Sequence, residues 1–174
     1  MRQLAEVARI REFMRRLGAS ARQDARVYFT GGVSAVLIGW RSTTIDIDLC
    51  IVPERDDLLR AVPELKESLN INVELAAPSH FLPELPGWQE RSPFIDREGL
   101  VSFHHYDFYS QALAKIERAH SQDTSDVLAM FAAGLVEPDR LRELFAQIEG
   151  EFFRYPALDP KSFRRAVDAA LVGR

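Results

Sequence analysis

Two aspartates separated by one isoleucine, Asp46 and Asp48, stand in the apolar run TIDIDLCIV (44–52). Carboxylates two apart on a strand project from the same face, roughly 6.5–7 Å apart along it. From there they can grip one cation, or two cations about 3.5–4 Å apart. Glu74, in the alternating run NINVELA (70–76), can complete the cluster. Three acids brought close repel one another, and bound Mg²⁺ or Mn²⁺ relieves that repulsion. Upstream, FTGGVSAVLIGW (29–40) places Gly31-Gly32 between a strand-like and a helix-like stretch. Glycines let a backbone approach a phosphate, and a helix N-terminus aims N–H groups at it. A carboxylate pair for metal and an amide nest for phosphates together describe a nucleoside triphosphate site. Ser34 and Thr44 either donate hydrogen bonds to phosphate or fix Asp46.

The elements that must position these residues follow from hydrophobic periodicity. RVYFT (26–30) reads as a short strand and VSAVLIGW as a buried helix. In TIDIDLCIV, Ile45, Ile47, Leu49 and Ile51 point one way; Thr44, Asp46, Asp48 and Cys50 point the other. ERDDLLRAVPELKESL reads as helix, interrupted or restarted at Pro63. In NINVELA, Ile71, Val73 and Leu75 share one face, Asn72 and Glu74 the other. Residues 78–93, with four prolines, Phe81 and Trp88, read as a structured loop or lid. SPFIDREGLVSFHHYDF predicts a hairpin turning near Glu98-Gly99, with His104 and His105 on opposite faces in structural roles.

Helical spacing dominates both ends. Leu4, Val7, Met14 and Leu17 mark one face of an N-terminal helix, widened by Ile10 and Phe13, with Gly18 as its stop. Helices are expected from about Phe108 to Ala119 and Thr124 to Ala133, with Asp123 as a cap. Another carries Leu141, Leu144, Phe145 and Ile148, and a last one opens at Asp159-Pro160. The expected organisation is one compact unit: a sheet core with the N-terminal helix in residues 1–106, and a helical region in 107–174.

Composition narrows the function classes. The 174 residues are 47% hydrophobic, enough for a buried core, and carry a net charge of −4, which argues against a general nucleic-acid coat. Residues 1–26 hold seven arginines against three acids, net +4, which leaves −8 for the remainder. That basic helix is either a solvated face or a contact for RNA or an acidic partner. Cys50 is the single cysteine, so no intramolecular disulfide forms. No apolar run is long enough for a membrane span, and no secretion signal opens the chain. A cytoplasmic protein that does not engage a membrane is the expectation.

The span 29–51 resembles the signature of the DNA polymerase β-like nucleotidyltransferase superfamily. That signature is a glycine turn, a short interval, Asp-x-Asp in a hydrophobic strand, and a third acid on a later strand. Here thirteen residues separate Gly32 from Asp46, and Glu74 falls where the third acid is expected. The similarity extends more weakly to bacterial minimal nucleotidyltransferases and AbiEii-type toxins. Those place a lysine on a helix after the sheet, followed by an Asp-x-x-Asp element. ALAKIERAHSQDTSDVLAM (112–130) offers Lys115, Arg118, Asp123 and Asp126 in that place.

The resemblance implies an α/β (α+β) nucleotidyltransferase fold, a small mixed β-sheet flanked by helices with a helical C-terminal region. It implies Mg²⁺- or Mn²⁺-dependent transfer of a nucleoside monophosphate from an NTP to a hydroxyl acceptor: a tRNA 3′ end, a protein or a small molecule. Asp46 and Asp48 would hold metal, with Glu74 supporting the nucleophile. Gly31, Gly32, Ser34, Thr44, Arg41, Lys115 and Arg118 would bind the nucleotide. Asp126 would orient Lys115 or Arg118, or pair with them structurally, and Lys115 alone reads equally as an exposed helix residue. The implied setting is a toxin–antitoxin pair with an antitoxin-like protein partner. A different class stays open: a non-catalytic module that keeps the fold and binds a nucleotide or a protein.

Overall fold

The computed structural model describes residues 3–174. They divide into two compact units: residues 3–77 with Ser92–Tyr106, and Pro78–Arg91 with Asp107–Arg174.

The first unit is built on a five-stranded mixed sheet. Its strands are β1 (Ala25–Thr30), β2 (Asp46–Val52), β3 (Asn72–Leu75), β4 (Phe94–Glu98) and β5 (Val101–His105), in the order β3-β2-β1-β5-β4. β1 runs antiparallel to β2 and parallel to β5; β2 and β3 are parallel; β4 and β5 form the expected hairpin. Helices α1 (Val7–Ser20), α2 (Gly32–Ile38) and α3 (Asp56–Ser68) pack with the sheet through Phe13, Leu17, Val33, Val36, Leu58 and Leu65. Ile47, Leu49, Ile51, Val27, Phe29, Val73 and Phe103 meet them from the strands. Phe29 stacks on Phe103 with ring centroids 5.6 Å apart and meets Phe13 at 6.4 Å. Each such pair adds roughly 0.5–1.5 kcal/mol beyond the area it buries.

β2 alternates half-buried and buried along its length, so Asp46, Asp48 and Cys50 share the face opposite the helix-covered core. The register carries this face across the sheet. Asp48 stands opposite Thr30 on β1 and Glu74 on β3, and Asp46 stands opposite Asn72. The result is a mixed α+β architecture of the nucleotidyltransferase type.

Several local expectations change. Ile45 precedes β2 and is exposed, and Leu75 at the end of β3 is exposed as well. Leu4 and Val7 are exposed, so α1 buries only Ile10, Phe13, Met14 and Leu17 of the predicted stripe. Gly18 does not stop α1, which runs to Ser20. A Cβ at Gly18 would collide with the carbonyl oxygen and Cβ of Glu98, so this glycine lets α1 lie against the hairpin. Pro63 does not break α3. It sits on the exposed side of the helix, away from the buried Leu58, Ala61, Val62 and Leu65.

The second unit contains α4 (Phe108–Arg118), α5 (Ser121–Ala132), α6 (Pro138–Ile148) and α7 (Pro160–Leu171). Phe145, Phe152 and Phe163 form one aromatic cluster, with centroids 5.0–5.7 Å apart. The α4 cap is Asp107, which accepts from Tyr109 N and Ser110 N and is gripped by Arg91 through two bonds of 2.9 and 3.1 Å. That fork ties the proline-rich segment 78–91 to α4, and Leu82, Leu85 and Trp88 of the segment are buried. The α7 cap is Asp159, as the sequence indicates. No helix among the described residues is long and apolar enough to cross a membrane.

Candidate active site

The acid-bearing face of β2 and β3 is the chemical centre of the first unit. Asp46 Oδ1 accepts from Asn72 Nδ2 at 2.6 Å, and the same nitrogen donates to Glu74 Oε1 at 3.1 Å. One amide thus joins two carboxylates. Neither Asp46 nor Glu74 has an ion-pair partner among the described residues. Sequence reading placed Asn72 on this face and gave it no task; its position two residues before Glu74 was the available signal.

The Gly31-Gly32 turn is interlocked with the second aspartate. Gly31 caps α2 at φ 62°, a conformation that disfavours residues with side chains. A Cβ there would sit 2.9 Å from Asp48 Oδ2. A Cβ on Gly32 would overlap the Thr44 hydroxyl and lie 3.5 Å from Arg41 Nη1. Thr44 Oγ1 in turn donates to the Asp46 carbonyl at 3.1 Å, and Thr44 pairs with Ala5 in an isolated bridge. Gly31, Gly32, Arg41, Thr44 and Asp48 are therefore neighbours, although up to seventeen positions separate them in sequence. The glycines accommodate these side chains whether or not a phosphate is bound.

Ser34 faces the other way. Its hydroxyl is fully buried, 3.4 Å from the Phe29 carbonyl and 2.9 Å from His105 Nδ1. Burial, reinforced by the positive charge of Arg11, pushes the His105 pKa down to about 4, so the ring is neutral at pH 7. His104, on the opposite face as expected, lies 3.4 Å from the Ser92 carbonyl and 3.3 Å from the Ser102 hydroxyl. Its pKa is also lowered, chiefly by burial.

Lys115, Arg118 and Asp126 belong to the helical unit. Lys115 is 6% exposed and bonds Asp126 at 2.7 Å and Asp123 at 3.2 Å. Arg118 grips Asp123 with bonds of 2.8 and 2.6 Å. Asp123 is not the α5 cap, which is His120. Burial opposes ionisation of Asp123, but the Arg118 hydrogen bonds and the Lys115 charge outweigh it and hold the pKa below 3.8.

Among the described residues no group of three or more His, Cys, Asp or Glu side chains is arranged to hold a metal ion. Two carboxylates on one strand face still suit Mg²⁺. That ion usually keeps several waters and takes one or two protein carboxylates, completing its shell with substrate phosphates.

Neither the curated proteins nor the solved structures include a match to this chain. A family model matches residues 5–166, which span both the glycine turn with its Asp-x-Asp strand and the Lys115 network. The chain belongs to the family described as "Nucleotidyltransferase of unknown function (DUF6036)".

Proposed function

We propose that the acid face of β2 and β3 carries out metal-dependent transfer of a nucleoside monophosphate from an NTP to a hydroxyl acceptor. The observation that carries this reading is the interlock of Asp48 with the Gly31 turn. It puts the carboxylate of a same-face pair against the backbone segment suited to phosphate. In the proposed step an acceptor oxygen attacks the α-phosphorus. The new O–P bond forms as the bond from that phosphorus to the bridging oxygen breaks, and pyrophosphate leaves. Asp46 and Asp48 would hold Mg²⁺ or Mn²⁺, which when bound supplies charge neutralisation on the phosphates. Glu74, exposed and two residues along from Asn72, accepts the proton of the attacking hydroxyl. Arg41 and the Gly31-Gly32 backbone orient the phosphates. Lys115 is given no step in this reading, because two aspartates already engage it.

Acceptors consistent with this chemistry are an RNA 3′ end, a protein hydroxyl and a small molecule; a toxin–antitoxin setting is one context for the first two. The test is incubation with each labelled NTP and Mg²⁺ or Mn²⁺, with total RNA and lysate protein as acceptors. Label transfer with pyrophosphate release is expected, and its loss in Asp46→Asn. Calorimetry that shows no metal-dependent binding of any NTP overturns the reading.

One observation favours a non-catalytic, nucleotide-binding module instead: Asn72 already satisfies Asp46 and Glu74 without a cation. NTP binding without metal dependence and without label transfer would select it.

A further inference from the structure

The geometry points to Asn72 as the positioning residue of the acid face, one that competes with the cation for Asp46 while it holds Glu74 in place. This rests on the reading of that face as the metal site. Across the parallel β2–β3 pair the four positions form two rows, Asp46 with Asn72 and Asp48 with Glu74. Straight pairing would set Glu74 beside Asp48. The Asn72 amide instead draws the Glu74 carboxylate back along β3 to the nitrogen that also serves Asp46.

An amide –NH₂ has two hydrogens and no lone pair to offer a metal. In the metal-free protein it satisfies both acids and offsets the repulsion between them. A cation that binds through Asp46 Oδ1 must displace the Asn72 bond to that oxygen. Asn72 therefore weakens metal binding while it fixes where Glu74 stands. Removing it has opposite effects on two observables: the acids bind a cation more tightly, and the group that receives the acceptor's proton loses its place.

The probe is Mn²⁺ alone, titrated into wild type, Asn72→Ala, Asn72→Asp and Asp46→Asn, followed by calorimetry and by the Mn²⁺-induced rise in melting temperature. Asn72→Ala is expected to bind Mn²⁺ roughly three- to tenfold more tightly, since charge-assisted bonds no longer oppose entry. Asn72→Asp, nearly the same shape but with an acceptor in place of the donor, should melt lower in chelator and show the largest Mn²⁺-induced rise. In pyrophosphate release Asn72→Ala should lower kcat with little change in KM for the NTP. Equal or weaker Mn²⁺ binding by Asn72→Ala, with wild type still binding and Asp46→Asn not, overturns the role of Asn72 and leaves the metal site standing. No Mn²⁺ binding by wild type overturns both.

Discussion

The molecule holds two clusters of acids, treated in opposite ways. In the helical unit, Asp123 and Asp126 are buried and answered by Lys115 and Arg118. In the sheet unit, Asp46 and Glu74 are answered by a neutral amide, at a face where Asp46 is half-buried and Glu74 exposed. Burying a carboxylate without a cation costs several kcal/mol, so the first cluster must be compensated for its helices to fold together. A face proposed to receive a cation must keep its negative charge available, which costs little only where water still reaches it. On that proposal the difference separates acids that hold the fold from acids held ready by it.

The contrast breaks most sharply at Lys115. Lys115→Ala removes the buried ammonium that bonds both Asp126 and Asp123, and is expected to cost about 3–5 kcal/mol, read as a lower urea midpoint. Because Asp123 is held below 3.8, the network's contribution is complete above about pH 4 and falls away as the pH drops through the lowered value. A wild-type midpoint together with lost activity would move Lys115 from fold to chemistry and erase the distinction.

Asp48→Asn probes the opposite side. It should slow pyrophosphate release by about 10²–10³-fold, comparable to removal of one preorganised charge-stabilising contact, while leaving the melting temperature unchanged or raised. An unfolded Asp48→Asn protein would make this acid structural.

His105 sets a pH limit on the sheet unit. Its pKa is about 4 in the folded chain and 6.5 in the unfolded one, so the unfolded chain binds the extra proton between those values. Stability should therefore be full above pH 6.5 and decline toward pH 4, by roughly 3 kcal/mol from this residue. His105→Asn keeps a polar group near Ser34 and removes the titration. Its denaturation midpoints should vary less with pH across that window; an identical slope would refute the assignment.

The smallest effect is at Asp159, an exposed acid satisfied only by neutral donors, Lys161 N, Ser162 N and the Ser162 hydroxyl. Asp159→Ala should lower the melting temperature only slightly, through loss of the α7 cap. A loss as large as that of Lys115→Ala would show that counter-charge is not what distinguishes the two clusters.

Periodicity made the strands and most helices legible, because a strand buried on one side has to alternate and β2 does so without a fault. It misread Gly18, whose reason lies in Glu98, eighty positions away. The same limit governs the site. The spacing of Asp46 and Asp48 shows that they share a face, but nothing local shows that Gly31 makes room for Asp48 or that Asn72 couples two acids. Asp123 was misjudged as a cap for a related reason: aspartate near a helix start is a common cap, and only the packing of α4 on α5 brings Lys115 and Arg118 to it.

The rims of the sheet bear on how the protein behaves in concentrated solution. β3 is only four residues long, and β4 carries Asp96, Arg97 and Glu98, with its pairing to β5 shifted between Phe94 and Asp96. Arg11 and Asp24 further engage those charges. A second chain seeking to add a strand would meet too short a ledge on one side and a charged, irregular one on the other. Backbone pairing from chain to chain is thereby discouraged, and aggregation through the sheet is a poor route even though its central strands are strongly apolar.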